Sequence, residues 1–157
     1  MNQTIQPAAI RKSLTIAAPP HKAFSVFTEG FDRWWPKSHT IGTAALKQAI
    51  IEPRQGGRWY GVDENGHEDD WGEVLAWEPP ARLLLAWRIN GKWTYDPSLL
   101  TEIEVLFKAT ADGGTQVEFE HRHLERMGEG AAEARAAMES PGGWGGILDG
   151  FKQAAES

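Results

Sequence analysis

The sequence predicts an α+β domain in which a curved antiparallel sheet of seven strands closes around a long C-terminal helix. Two observations lead to this fold class: short strand-like runs separated by turn signals extend from Leu46 to Leu124, and helical periodicity returns after Leu124. A sheet of that size must cover one apolar face, and the terminal helix is long enough to do so. The chain of 157 residues is expected to form one domain over 1–157.

The order of elements follows from periodicity. Residues 10–17 alternate apolar and polar side chains and predict the first strand, which Pro19 and Pro20 end. Phenylalanines at roughly helical spacing then predict two short helices, divided at Gly30. Six further strands are predicted in LKQAIIEPR, GGRWYGV, DWGEVLAWE, RLLLAWRI, LTEIEVLFKAT and TQVEFEHRHL. The segment AAEARAAME is helical in composition, and the last helix is expected to begin near Pro141.

Composition excludes several classes of partner. The formal net charge of -6 has the wrong sign for binding a phosphate backbone or an anionic bilayer, so neither nucleic acid nor membrane is expected as a partner. The chain shows no long apolar run and no signal-peptide pattern, so a cytoplasmic location is expected. Cysteine is absent, which leaves oxygen and imidazole groups for any chemistry. Eight tryptophans indicate large rings filling a core or a cleft.

Several segments together resemble a known superfamily. They are the opening IRKSLTIAAPPHKAFSVFTE, the runs GGRWYGV and WGEVLAWEPPARLLLAWRI, the pair TEIEVLFKATADGGTQVEFEHRHLE, and the closing GGWGGILDGF. In this order they resemble the START-related helix-grip (SRPBCC) superfamily, and within it the branch of homologues of the activator of the heat-shock-protein ATPase. The resemblance implies a helix-grip fold with a cavity between sheet and last helix, which in various relatives binds or transforms hydrophobic molecules. Fold alone does not specify a reaction.

Nine residues are predicted to line such a cavity. Strand alternation turns Val117, Phe119, His121 and His123 toward the helix, and it places Trp87 on the inward face of its own strand. Trp59 and Trp71 are expected near the mouth, and Trp144 opens the last helix. The predicted ligand-binding residues are Trp35, Trp59, Trp71, Trp87, Phe107, Phe119, His121, Trp144 and Leu148.

The histidines and the acidic hairpin allow more than one interpretation. His121 and His123 have the spacing of two metal ligands on a strand, but no further ligand can be argued, so hydrogen-bonded imidazoles are favoured and no metal or cofactor is expected. His121 serves as a polar ligand contact, as a general acid or base, or as a structural histidine. The acidic residues around His67 do not have the spacing of a calcium loop and are interpreted as solvated charges.

Three functions remain open. The first is binding of a small hydrophobic molecule, which is lipid-like, aromatic or polyketide-like, in the cavity. The second is an enzyme of cyclase or dehydratase type that uses the same cavity, with His121 and either Glu73 or Tyr60 as proton carriers. The third follows from the family's name and is stimulation of a chaperone ATPase, which is disfavoured because the additional N-terminal domain of the eukaryotic activators is not expected here. Catalytic residues are not assigned.

A homodimer is a further possibility. Tryptophans that do not fit the core pattern, above all Trp93 in the loop Asn90-Gly91-Lys92-Trp93, are candidates for burial in a twofold contact. Pro97 favours a loop over a strand for residues 93–100.

Overall fold

The computed structural model describes residues 8–157 as a seven-stranded antiparallel sheet with helices on one face. The strands are β1 (Ile10–Ile16), β2 (Leu46–Ile51), β3 (Arg58–Asp63), β4 (Glu68–Glu78), β5 (Arg82–Trp87), β6 (Thr101–Ala109) and β7 (Thr115–Arg122). The helices are α1 (Pro20–Thr28), α2 (Phe31–Trp34), α3 (Ala131–Glu139) and α4 (Gly146–Glu156), with a 3₁₀ turn at Leu124–Met127 and a π turn at Pro141–Gly145. This is the predicted helix-grip arrangement.

The sheet order is β1-β7-β6-β5-β4-β3-β2, so the chain from β2 to β7 forms a meander and β1 joins its far edge. Short connections explain the meander, because antiparallel neighbours need only a tight turn. β1 pairs along its whole length with β7, from Ile10 opposite His121 to Ile16 opposite Thr115. The predicted inward alternation is confirmed for Trp87 in β5 and for Val117, Phe119 and His121 in β7.

The core lies between the concave face of the sheet and the helices. α4 buries its apolar residues Ile147, Leu148, Phe151 and Ala155, and Phe151 packs against Phe27 of α1 at 5.1 Å between ring centroids. The opposite face of the sheet carries ion pairs, such as Arg82 with Glu104 at 2.8 Å. This division into an apolar inner face and a charged outer face follows the period of two in the strands.

The C-terminal helical region differs in detail from the prediction. Helical structure begins at Pro141 as expected, but residues 141–145 form a π turn and the α-helix starts only at Gly146. The cause is Gly143, whose φ of -94° and ψ of -140° are not helical. A Cβ on Gly143 would lie 2.1 Å from the carbonyl oxygen of Met138, so this glycine permits α3 and the π turn to pack closely.

β7 ends one residue earlier than the predicted His-x-His pair requires. His121 is fully buried, whereas His123 adopts a left-handed conformation with φ of 66° and leaves the strand. Its imidazole lies 3.6 Å from Glu102. The prediction that both histidines share one face is therefore wrong, because the chain turns at His123 to begin the 3₁₀ turn.

Candidate functional site

A cavity of about 340 Å³ lies between the sheet and the helical region that follows it. Four segments supply its walls: the loop after α2, the inner face of β4 and β5, the loop after β5, and the stretch from α3 into α4. The lining residues are Trp35, Ser38, His39, Thr40, Ile41, Trp71, Trp87, Ile89, Trp93, Ala137, Met138, Ser140, Gly142, Gly143, Trp144 and Ile147. The volume lies at the low end of ligand pockets, which measure about 300–1,000 Å³.

Five tryptophans form a closed ring of contacting side chains at this site. Around the ring, the centroid distances are 5.4 Å from Trp35 to Trp71, 5.8 Å from Trp71 to Trp59, and 5.5 Å from Trp59 to Trp87. Trp87 to Trp144 and Trp144 back to Trp35 are each 5.9 Å. We call this set the tryptophan ring. Four of its members line the cavity, and Trp59 lies behind Trp71 and Trp87.

A β-bulge brings Trp71 into the ring. On β3, Trp59 pairs with Gly72 and the next residue, Tyr60, pairs with Asp70, so Trp71 is an extra residue in β4. Trp71 and Gly72 are consequently both buried, although strand alternation would place them on opposite faces. Gly72 is required here because a Cβ would lie 1.7 Å from the carbonyl oxygen of Ala86.

His121 is a structural element behind the cavity wall. Its Nδ1 accepts a hydrogen bond from the indole Nε1–H of Trp144 at 3.3 Å, so Nε2 carries the proton of the neutral imidazole. Nε2 lies 3.1 Å from the Thr101 hydroxyl, which donates to the carbonyl oxygen of Trp87 at 2.8 Å. Burial lowers the pKa of His121 from 6.5 to about 3. The neutral imidazole thereby links two members of the tryptophan ring.

Polar groups line the cavity along one side. They belong to the loop after α2 and to the start of the π turn, and they are Ser38, His39, Thr40 and Ser140. His39 joins the two segments, because its Nε2 lies 2.9 Å from the carbonyl oxygen of Gly142 and therefore donates to it. Its Nδ1 lies 3.0 Å from the Ser38 hydroxyl. Within residues 8–157, His39 is the one titratable side chain in the cavity lining.

The nine predicted site residues fall into two groups. Trp35, Trp71, Trp87 and Trp144 line the cavity, whereas Trp59, Phe107, Phe119, His121 and Leu148 are buried next to it or in the core and do not line it. The residues of the second group are buried in the core, and none of them reaches the surface of the cavity. The sequence did not predict the apolar lining residues Ile41, Met138 and Ile147 or the polar ones, which are Ser38, His39, Thr40 and Ser140. Helical spacing was a signal for Met138 and for Ile147 only.

The proton carriers considered from the sequence do not meet at the cavity. Glu73 is on the outer face, where it accepts a hydrogen bond from Arg88 at 2.6 Å. The ring of Tyr60 is covered by the guanidinium of Arg58 at 3.9 Å. The hypothesis that His121 acts with Glu73 or Tyr60 as a proton carrier in the cavity is therefore wrong, because none of the three lines the cavity. Among residues 8–157, no three His, Asp or Glu side chains lie close enough together to hold a metal ion.

The fold and this cavity define the class of protein, a helix-grip protein of the SRPBCC superfamily with an aromatic pocket. The chain belongs to the family described as activator of Hsp90 ATPase homolog 1-like protein, whose model matches residues 17–156. No curated protein matches the chain significantly. None of the helices in residues 8–157 is long and apolar enough to cross a membrane.

Solved structures of similar proteins cover nearly the whole chain. The anthrahydroquino-γ-pyrone synthase Txn09, solved in complex with SUM, is 38% identical, covering 95% of this chain and 97% of its own at a TM-score of 0.67. The self-sacrificing resistance protein CalC from Micromonospora echinospora is 33% identical, covering 94% of each chain, with the same TM-score. A protein from Mesorhizobium loti is 20% identical over 93% of this chain and 95% of its own, with a TM-score of 0.66, and it shares the fold.

Proposed function

We propose that this protein binds a planar aromatic molecule of a few fused rings in the cavity beside the tryptophan ring. The observation that carries the proposal is that four indoles of one contiguous aromatic cluster line the same cavity. Aromatic walls favour flat π systems, since stacked and edge-to-face pairs add about 0.5–1.5 kcal/mol each beyond the area that they bury. The similarity to a synthase of anthrahydroquino-γ-pyrones supports a ligand of this type.

The unequal distribution of polar groups indicates what else the ligand carries. Within residues 8–157, the hydroxyl and imidazole groups of the lining come from the loop after α2 and from Ser140, two segments that the hydrogen bond of His39 to Gly142 joins. These features favour an aromatic ligand with oxygen substituents over a pure hydrocarbon.

Binding is tested with 1,8-dihydroxyanthraquinone as the probe. We expect a dissociation constant of about 1–100 µM in isothermal titration calorimetry. This range follows from the binding free energy per non-hydrogen atom that is typical of ligands of this size. Gly142→Trp is expected to abolish binding, because Gly142 lines the cavity and a Cβ there meets nothing within 4 Å.

Gly145→Trp is the matched control for this experiment. Gly145 belongs to the same π turn and also has open space at its Cβ position, but it does not line the cavity. This variant should bind as the wild type does. Equal loss of binding in both variants, or no binding by the wild type to this probe or to related hydroxylated polycycles, would contradict the proposal.

A cyclase or synthase activity at the same cavity is the second candidate. It is favoured by the 38% identity to a synthase and by the presence of His39 in the lining. The test uses a second probe, an anthraquinone with a 1,3-diketone side chain next to a ring hydroxyl, because that hydroxyl can add to the far ketone and lose water to close a pyrone ring. The chromatographic retention and the ultraviolet spectrum of the recovered probe report this closure. Recovery of unchanged probe supports binding alone, whereas a new product that is lost in His39→Gln supports catalysis.

A further inference from the structure

Trp93 is unusual both in its exposure and in its backbone. The residue is 44% exposed, and it is the one exposed large hydrophobic residue in the part of the chain that the structure describes. Its φ is 60°, in the left-handed region that glycine and asparagine tolerate and that residues with bulky side chains avoid. A tryptophan here is therefore held in a conformation that costs stability.

The loop around Trp93 imposes this conformation. The Asn90 side-chain oxygen accepts hydrogen bonds from the backbone N–H of Lys92 at 2.9 Å and of Thr94 at 3.1 Å. The Asn90 carbonyl oxygen accepts from the N–H of Trp93 at 2.9 Å, and the Asn90 N–H donates to the Thr94 carbonyl at 2.9 Å. These four bonds close a tight turn with Trp93 inside it, so its backbone cannot relax without breaking them.

The base of the loop is also fixed. Ile89 and Tyr95 form an antiparallel bridge. The N–H of Gly91 donates to the carbonyl oxygen of Met127 at 3.1 Å, and a Cβ on Gly91 would lie 2.4 Å from the carbonyl oxygen of Glu129. The turn therefore packs against the segment before α3, and the freedom that remains to Trp93 is rotation of its side chain.

Trp93 lines the same cavity as the tryptophan ring, although it is not a member of that ring. In the free protein its indole is half exposed, so the strained backbone is not offset by burial of the side chain. A ligand in the cavity would supply the missing contact surface. We propose that the indole of Trp93 packs on the part of the ligand that reaches the cavity mouth, and that it selects ring systems long enough to do so.

This inference rests on the proposed function, and it predicts opposite effects on stability and on binding. Trp93→Asn should raise the melting temperature by roughly 2–4 °C, because asparagine tolerates the left-handed conformation. The same variant should bind 1,8-dihydroxyanthraquinone roughly three- to tenfold more weakly, because it lacks one aromatic contact with the ligand. Binding of 1-naphthol, which is too short to reach both the ring and the mouth, should stay within about twofold of the wild-type value.

Trp93→Phe is the conservative variant. It keeps an aromatic ring and the strained backbone, so its melting temperature and its affinity for the anthraquinone should both stay close to the wild-type values. Sedimentation of the wild type and of Trp93→Asn at several concentrations checks whether the residue instead lies in a dimer contact, in which case only the wild type would dimerise.

The outcomes separate this inference from the proposed function. If the wild type binds the anthraquinone and Gly142→Trp does not, but Trp93→Asn binds it normally, the cavity function stands and the role of Trp93 is refuted. A lower melting temperature in Trp93→Asn, an equal loss of affinity for both probes, or dimerisation that depends on Trp93 would also overturn it. If the wild type binds neither the anthraquinone nor 1-naphthol, both proposals are refuted.

Discussion

Gly72→Ala is expected to destabilise the protein by about 3 kcal/mol or more, because overpacking against backbone cannot be relieved by rotation of a side chain. The added Cβ would lie 1.7 Å from the carbonyl oxygen of Ala86 and 2.8 Å from its carbon. β4 and β5 would have to separate at the point where Gly72 pairs with Trp87. Urea denaturation measures the free energy of unfolding. The separation of β4 from β5 should also abolish the bulge that turns Trp71 inward.

The control for this substitution is Gly145→Ala. Gly145 has no atom within 4 Å of its Cβ position and a helical φ of -56°. Alanine should therefore leave the free energy of unfolding unchanged within about 0.5 kcal/mol, or raise it slightly. A loss of less than about 1 kcal/mol in Gly72→Ala would contradict the close approach of β4 to β5 that forms the tryptophan site.

Acid is expected to destabilise the protein through His121. Burial lowers the pKa of this imidazole to about 3 in the folded state, whereas the unfolded chain takes up the proton near 6.5. Between these values the unfolded state binds one more proton, so stability falls as the pH falls from 6.5 toward 3 and is fully present above 6.5. The slope is about 1.4 kcal/mol for each pH unit once the unfolded histidine is protonated.

The measurement compares urea denaturation of the wild type and of His121→Asn at several pH values from 8 to 4. Asparagine keeps an oxygen acceptor for the Trp144 indole but cannot take up a proton in this range. Carboxylates such as Glu104, whose pKa is lowered by its hydrogen bond to Arg82, titrate in both proteins and cancel in the difference.

At pH 8 the His121→Asn variant should be less stable than the wild type by about 1–3 kcal/mol, because the Thr101 hydroxyl loses its hydrogen bond with the imidazole. The difference in the free energy of unfolding between the wild type and the variant should decrease by about 1.4 kcal/mol for each pH unit below 6 and then change sign. A stability difference that stays constant from pH 7 to pH 4.5 would show that His121 is not held neutral in the folded protein.

The strands and the core were predictable because they follow a simple period. Leu83, Leu85 and Trp87 alternate along β5, and Val117, Phe119 and His121 do the same along β7, so their inward faces could be predicted from the sequence. Four of the nine predicted cavity residues line the cavity, and of these only Trp87 is placed there by strand alternation. Alternation reports which face a residue occupies, but it does not report how deep in the core it lies.

The remaining features of the site depend on departures from periodicity and on distant contacts. The bulge at Trp71 places two consecutive residues inside, which alternation does not allow. His39 contacts Gly142 across 103 positions of sequence, and no local pattern encodes that pairing. The left-handed conformations of Trp93 and His123 are imposed by the turns around them and not by the preferences of these residues.

An aromatic ligand in the cavity beside the tryptophan ring would contact several indoles at once. The most direct test is a two-dimensional ¹H–¹⁵N spectrum of the indole N–H groups during titration with 1,8-dihydroxyanthraquinone. We predict that the signals of the five cavity-lining tryptophans shift together, while that of Trp77, which packs on Phe24 outside the cavity, stays in place. The five are Trp35, Trp71, Trp87, Trp93 and Trp144. A shift confined to Trp77, or a titration that leaves all the cavity signals unchanged, would contradict binding at this site.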